Sequence, residues 1–257
     1  MKDQRTQHIL DLLSVQGSVA IRDLAARLGA SEMTLRRDLG ELETRGLLRR
    51  VHGGAVLSGG GDPGYWLRSK QSQPEKAQIG RAAANLVASG HTVFIDAGTT
   101  TTEIARALAR RAREESLNIR VVTQAINIVT ELAAEPSIDL HQIGGQIDPT
   151  TLAATGITAI EQIKILSFDL LFLGFTGVDF KAGWTNSGAT GVEVKRAAMH
   201  RATRAWAAVD SSKWQVTSFF RVASLEAVQG WITDPGLAEA DRKQVRDAGL
   251  DLVVAET

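Results

Sequence analysis

The chain has 257 residues, 44% apolar and 23% charged, an ordinary composition for a globular protein of one or two domains that excludes collagen-like repeats and extensive disorder. Its 29 lysines and arginines balance 29 aspartates and glutamates, so a polyanionic partner must bind a local cluster of charge. The absence of cysteine excludes disulfides and thiolate metal sites. The sequence has no apolar run of about 18 residues, and its N-terminus lacks the apolar core of a signal peptide, so we expect a cytoplasmic protein that contacts no membrane.

Three short helices are predicted at the N-terminus. The first covers Thr6–Val15 and the second Ala20–Leu28, in which apolar residues recur at i, i+3, i+4 and i+7. Gly29 supplies the turn that follows, and Ser31 can cap a third helix by accepting a backbone N–H bond. Leucines of this third helix face the core, and its opposite face and flanks carry Met33, Thr34, Arg36, Arg37, Gly40 and Thr44.

A glycine turn between two short helices, the second with arginines near its start, is the geometry by which a helix enters the DNA major groove. The following stretch, Leu47–Val56, predicts a hairpin, since Gly53-Gly54 tolerates the positive φ angles of a tight turn. A helical domain with solvated arginines, or one that binds protein, fits the same pattern. The candidate DNA-binding residues are Ser31, Thr34, Arg36, Arg37, Arg49, Arg50, His52, Gly53 and Gly54.

A glycine-rich run at residues 58–64 interrupts both the helical and the strand patterns of apolar residues, and it separates two units. We expect domains at 1–57 and 74–257, joined by a linker at 58–73. In the second domain β-rich runs alternate with amphipathic helices, which predicts an α/β fold with a mostly parallel sheet. The strands are predicted at His91–Asp96, Ile119–Thr123, Ile138–Ile143, Asp169–Gly174, Ala205–Val209, Trp231–Thr233 and Leu252–Ala255, and the helices include Ile79–Ala88, Thr102–Arg111, Ala125–Ala134, Thr190–Thr203 and Gly236–Ala248.

Four threonines follow the first of these strands, between Gly98 and a predicted helix. Such a turn aims free backbone N–H groups, hydroxyls and the positive helix end at one point, which suits a phosphate. It lacks the spacing of nucleoside triphosphate and dinucleotide loops, and a simple threonine cap fits it too. Other polar groups follow other strands, where open α/β sheets bind ligands. The candidate effector-binding residues are Asp96, Gly98, Thr99, Thr100, Thr101, Thr102, Gly144, Gly145, Asp179, Lys195 and Lys213.

Ordered motifs extend over most of the chain. In the N-terminal part they are Val19–Ala25, Leu28–Leu39, Leu42-Glu43, Gly46-Leu47 and Arg50–Ala55. In the C-terminal part they include Lys76, Ile79-Gly80, Asp96–Thr102, Val121–Thr123, Gly144-Gly145, Gly156, Gly174, Gly177–Asp179, Lys195–Met199, Asp210–Lys213 and Ile232–Asp234. Both parts resemble the DeoR family of bacterial transcription regulators. The resemblance implies a winged helix-turn-helix and an effector domain related in fold to ribose-5-phosphate isomerase.

The resemblance also implies a function. The protein would be a repressor of sugar or polyol catabolism genes that binds double-stranded operator DNA as a homo-oligomer, a dimer or a tetramer. Its effector would be a phosphorylated sugar or polyol, with the threonine loop on the phosphate and Asp179 and Lys195 near the sugar. We expect no cofactor, no metal and no catalytic residue, since the five histidines are scattered without metal-ligand spacing.

Two other classes of protein are alternatives. A sugar-phosphate isomerase-like enzyme with a helix-turn-helix appendage would need a base, for which Glu193 could serve. The comparable turn of the isomerase carries three acidic residues. The turn Thr176–Phe180 of this chain, however, keeps only one of them, Asp179. A protein-interaction scaffold would explain two folded halves but not the arginine pairs of the N-terminal unit.

Overall fold

The computed structural model describes residues 5–6, 8–10, 12–13, 18–44, 47–51, 53–57 and 64–256. The chain divides into two compact units, Met1–Gln71 and Ser72–Thr257, each with apolar clusters of its own. The division falls inside the stretch predicted as linker, and the domain limits at 57 and 74 stay predictions. Among the described residues, no helix has the length and apolar character needed to cross a membrane.

The N-terminal unit combines helices with a small antiparallel sheet. After helical residues at 5–6, 8–10 and 12–13, its elements are β1 (Ser18–Ala20), α1 (Ile21–Leu28), α2 (Glu32–Thr44), β2 (Leu48–Val51), β3 (Gly54–Leu57) and α3 (Gly64–Arg68). Gly29 ends α1 in the left-handed conformation, with a φ of 59°. Strand β3 pairs with both β1 and β2, so the predicted hairpin gains a third strand that the sequence did not predict.

Part of the predicted linker is helical. Gly64, which the sequence assigned to the flexible run, begins α3. Tyr65 and Leu67 are buried, and Leu67 packs into the apolar cluster of the N-terminal unit. Burial of apolar surface thus orders residues that composition alone marks as a connection.

The C-terminal unit is built on a seven-stranded parallel sheet. Its elements are α4 (Gln73–Asn85), β4 (Thr92–Ile95), α5 (Thr99–Glu115), β5 (Ile119–Thr123), α6 (Ile126–Leu132), β6 (Ile138–Gln142), β7 (Gln146–Asp148), β8 (Ala153–Thr155), α7 (Gly156–Lys164), β9 (Phe168–Leu173), β10 (Gly177–Asp179), β11 (Gly183–Asn186), α8 (Val192–Met199), β12 (Ala202–Ala208), β13 (Phe220–Ala223), β14 (Gly230–Thr233), α9 (Glu239–Asp247) and β15 (Asp251–Val254). The sheet order is β15-β14-β12-β9-β4-β5-β6, and the seven strands predicted from the sequence form it. The expected α/β fold class is confirmed.

Helices cover both faces of this sheet, because successive strand residues point to opposite sides. In β4, Val93 and Ile95 belong to the cluster that α4, α5 and α6 cover, whereas Phe94 belongs to the cluster under α7, α8 and α9. Strands buried on both faces read as continuous apolar runs, which is why the sequence showed them clearly.

The sequence missed the short antiparallel elements and overextended one helix. Strands β7 and β8 pair with each other, and β10, β11 and β13 form a small sheet. The predicted helix Thr190–Thr203 ends at Met199, because Ala202 already pairs with Phe168 of the central sheet. That pairing requires extended backbone where the side chains alone favour a helix.

Candidate functional site

Helix α2 presents the candidate DNA-binding residues of the N-terminal unit. Ser31 Oγ accepts the backbone N–H of Thr34 at 3.2 Å, which confirms the cap, and the two hydroxyl oxygens lie 2.9 Å apart. Met33 is 81% exposed and Arg37 is exposed, without an ion pair in the described part of the chain. Arg36 instead pairs with Glu32 at 3.0 Å. Among the described residues of α2, Arg37 is therefore an exposed cation without an ion-pair partner.

A buried ion pair holds this helix from behind. Asp38 follows Arg37 directly and is buried, and its Oδ2 accepts from Arg5 Nε at 2.6 Å. The hydrogen bond to Asp38 raises the pKa of the Arg5 guanidinium. Because Arg5 lies in the first helical segment, the pair joins that segment to α2.

The hairpin of β2 and β3 forms the wing. Arg49 is exposed, whereas Arg50 is bound to α2: its backbone N–H and Nε donate to the Glu43 carboxylate at 2.7 and 3.0 Å. The predicted contact His52 lies outside the described residues. Arg50 is thus neutralised in this structure and must exchange Glu43 for a phosphate if it contacts DNA.

The two wing glycines have different roles, which corrects the expectation of a turn with positive φ at both. Gly53 has a φ of 82° and occupies the turn. Gly54 lies in β3, where a Cβ would stand 2.0 Å from the backbone oxygen of Val19 in β1. Gly54 therefore permits close approach of the strands rather than an unusual backbone angle.

In the C-terminal unit the threonine loop lies where the strand order reverses. From β4 the chain proceeds to β5 and β6 on one side, and then returns to β9, β12, β14 and β15 on the other. Open α/β sheets bind ligands beyond the carboxyl ends of the strands at such a point. The loop that leaves β4 occupies this position.

All four threonines of the loop are buried at the start of α5. The hydroxyls of Thr101 and Thr102 donate to the Gly98 carbonyl at 3.0 and 2.6 Å. The backbone N–H groups of Thr99, Thr100 and Thr101 have no acceptor in the described chain, as expected for a first helical turn. Three donors and the positive end of a helix of 17 residues therefore converge there.

A buried ion pair stands beside the loop. Lys195 Nζ of α8 contacts Asp96 Oδ2 and donates to the Gly174 carbonyl at 2.7 Å. Gly174 N–H donates to the same Asp96 oxygen at 3.1 Å. The Lys195 and Asp96 side chains are only 5% and 2% exposed, so the pair is shielded from solvent. The ammonium also lies 5.4 Å from the centre of the Phe175 ring.

Asp179 has a local structural role. Its Oδ1 accepts the backbone N–H groups of Lys181 and Ala182 at 2.8 and 2.9 Å. These two hydrogen bonds lower the pKa of the Asp179 carboxyl. The geometry is that of a turn residue, and contact of Asp179 with an effector stays a prediction.

Gly144, Gly145 and Lys213 follow other strands at the same edge of the sheet. The N–H and carbonyl of Gly144 both bond the Gln162 side chain, at 3.0 and 3.2 Å. Gly145 has a φ of 155°, and a Cβ there would lie 2.6 Å from the Thr155 carbonyl oxygen. Lys213 is half-buried in a short 3₁₀ turn after β12. The glycines therefore shape the backbone, and their contact with a ligand also stays a prediction.

Catalytic and metal sites find little support. Glu193, the candidate base of an isomerase, has a side chain that is 64% exposed and pairs with Arg196 at 2.7 Å. Within the described ranges, no three histidine, aspartate or glutamate side chains are grouped so as to hold a metal ion.

Comparison with known proteins decides the family. A model of the DeoR-like helix-turn-helix domain matches residues 5–59, and a model of the DeoR C-terminal sensor domain matches residues 71–235. The chain belongs to the DeoR family of transcriptional regulators. It is 34% identical over 252 residues to the HTH-type transcriptional regulator GlpR of Haloferax volcanii, which is 97% of this chain and 96% of that protein.

Other relatives of this DeoR-family regulator carry similar names. The glycerol-3-phosphate regulon repressor of Escherichia coli is 30% identical over 90% of both chains, and the lactose phosphotransferase system repressor of Lactococcus lactis is 33% identical over 83% of both. The chain is accordingly a transcriptional regulator and not an isomerase-like enzyme. Among solved structures, ribose 5-phosphate isomerase A of Methanocaldococcus jannaschii has a TM-score of 0.43 at 18% identity, over 56% of this chain and 55% of that one.

Sequence reasoning about this DeoR-family regulator missed two amides beside the loop. Gln124 Nε2 donates to Asp96 Oδ1 at 2.8 Å, and Asn127 Nδ2 donates to Thr102 Oγ1 at 2.6 Å. Gln124 comes directly after β5 and Asn127 lies in the first turn of α6, so the rule that ligands bind at strand ends could have found them.

Proposed function

We propose that this DeoR-family regulator is a repressor of sugar or polyol catabolism genes. The names of its relatives in Escherichia coli and Lactococcus lactis support this, since both are repressors connected with a polyol phosphate or a sugar. Helix α2 would enter the major groove with Arg37 toward the bases, and Arg49 on the wing would contact the backbone. We place this activity in the cytoplasm.

The effector is a phosphorylated sugar or polyol bound at the start of α5. The observation that carries this proposal is the set of open N–H donors on Thr99, Thr100 and Thr101, at the strand-order reversal and beside a buried lysine. These donors and the helix dipole favour a dianionic group. Lys195 would share its charge between Asp96 and the ligand.

We further propose a homo-oligomer, a dimer or a tetramer, on a palindromic or repeated operator. Effector binding would weaken the hold on DNA. For a tenfold change in operator affinity, the two sites need a coupling free energy of only about 1.4 kcal/mol.

The test begins with a panel of sugar and polyol phosphates, followed by tryptophan fluorescence and then by gel shifts on the protein's own promoter region. Thr100→Val removes an open hydroxyl at nearly constant volume, and we expect it to weaken effector binding by about tenfold or more, because hydrogen bonds to charged groups contribute about 1.5–3 kcal/mol. Thr130→Val is the matched control, since that exposed hydroxyl bonds Ile126 of its own helix.

The outcomes separate the two halves of the proposal. Failure of the full-length protein to bind its promoter region at low ionic strength would remove the repressor. Specific DNA binding that no phosphate ester alters, or an unchanged effector affinity in Thr100→Val, would remove the effector site assigned to the loop.

A further inference from the structure

Two side-chain amides beside the threonine loop each leave an oxygen without a donor. Gln124 is buried and Asn127 half-buried, and their amide nitrogens bond Asp96 and Thr102. Gln124 Oε1 and Asn127 Oδ1 are both buried, and neither has a hydrogen-bond partner in the part of the chain that the structure describes. A buried acceptor without a donor destabilises the folded protein, so two of them beside one loop require an explanation.

The hydrogen-bond network fixes which end of each amide is the oxygen. The Asp96 carboxylate already accepts from Lys195 and from Gly174 N–H, so it faces the nitrogen of Gln124. The Thr102 hydroxyl donates its proton to Gly98, so it offers only lone pairs to Asn127. Both amide oxygens are therefore left as acceptors at the site.

The surroundings determine which ligand group can donate to them. A phosphate dianion only accepts hydrogen bonds, and its place is at the N–H groups of α5. An ammonium group would be repelled by Lys195 and by the positive end of the same helix. The ligand donors must therefore be neutral. Hydroxyl groups fit best, because a sugar or polyol phosphate carries them on the same molecule as its phosphate.

We propose that Gln124 and Asn127 recognise hydroxyl groups of the effector and so select hydroxylated phosphate monoesters over simple alkyl phosphates. This inference rests on the proposed effector site at the threonine loop. Because both oxygens are covered, ligand hydroxyls reach them only with a local movement of the surrounding side chains.

The experiment compares pairs of ligands on the full-length protein. Calorimetry measures the Kd of the tightest sugar or polyol phosphate in the panel and of the alkyl phosphate with the same number of carbons. We expect the wild type to prefer the hydroxylated ligand by at least about tenfold, and Gln124→Met and Asn127→Leu each to reduce this preference by about tenfold. Affinity for the alkyl phosphate stays within about twofold, since the phosphate donors are untouched.

Asn118→Leu is the matched control. Asn118 is exposed and precedes the amino end of β5, whereas Asn127 follows its carboxyl end. Replacement of Asn118 should therefore leave the preference for the hydroxylated ligand unchanged. Failure of the wild type to bind any panel member would defeat the proposed effector site, and this inference with it. Binding with the wild-type preference retained in both variants overturns the inference alone.

Folding of the variants is checked by thermal unfolding. If one variant does not fold, the other decides. If neither folds, the wild type decides: equal affinity for the hydroxylated ligand and its alkyl counterpart overturns the inference, and a preference of tenfold or more supports it.

Discussion

Replacing Lys195 by methionine removes the ammonium from a buried ion pair while keeping most of the side-chain length. The Asp96 carboxylate would then be left buried with two hydrogen bonds, from Gly174 N–H and Gln124 Nε2. Loss of one partner of a buried pair costs about 3–5 kcal/mol, because the other charge stays uncompensated. Since two donors remain on Asp96, we expect a loss near the lower end, about 3 kcal/mol of unfolding free energy.

The assay is urea unfolding of the full-length protein, followed by the fluorescence of Trp184 and Trp231, which are buried in the same unit. The double variant Lys195→Met with Asp96→Asn removes both charges, and we expect it to recover most of the loss. Lys164→Met is the control: that exposed lysine pairs with Glu161 on the surface, and its loss should cost less than about 0.5 kcal/mol. A loss below about 1 kcal/mol in Lys195→Met, or no recovery in the double variant, refutes the buried pair.

Further predictions concern the wing, the recognition helix and one acidic turn. Arg37→Ala should weaken binding to the operator by about 1–3 kcal/mol and relax the sequence preference of the protein. Arg49→Ala should weaken binding to all DNA sequences and reduce the slope of log affinity against log salt concentration by about 1. Equal effects of the two variants would contradict the docking of α2 in the major groove. Gly54→Ala should lower thermal stability and operator affinity together, because its Cβ would collide with the Val19 carbonyl, and normal unfolding would disprove that contact. Asp179→Asn should be less stable than the wild type at neutral pH, because folding lowers the pKa of the Asp179 carboxyl. The difference in unfolding free energy is present above the ordinary pKa of 3.8 and disappears as the pH falls through the pKa of the folded state. A difference that stays constant in urea unfolding from pH 2 to 7 would contradict this prediction.

The sequence predicted the strands of the central sheet well and the short strands outside that sheet poorly. Strands such as β4 and β9 are buried on both faces, so their apolar character is continuous and local. Strands β10 and β11 have only three and four residues. They pair with each other across a short turn, and β11 also pairs with the distant strand β13. A short strand that depends on such a tertiary contact gives a weak local signal in the sequence.

The same distinction explains what could be predicted of the DNA-binding surface. Ser31 was found because a cap acts three residues along the chain, and it accepts from Thr34 as expected. Arg50 and Arg36 were correctly placed on the surface, but their acidic partners were not foreseen. Those ion pairs leave Arg37 and Arg49 as exposed cations that no described residue neutralises, and a count of arginines alone could not single them out.

The proposed effector site shows how the topology brings together residues that the sequence pattern leaves apart. Gly174 and Lys195 follow Asp96 in the chain by 78 and 99 residues. Each of the three residues taken alone fits an ordinary structural role. They meet because β9 returns to the side of β4 opposite β5, which places the end of β9 and the helix after it against the threonine loop. Asp96 and Lys195, which sequence reasoning treated as separate candidates, thus form one hydrogen-bonded group with Gly174. A ligand that competes with Asp96 for Lys195 would act on β4, β9 and α8 together, which is the property that a sensor domain requires.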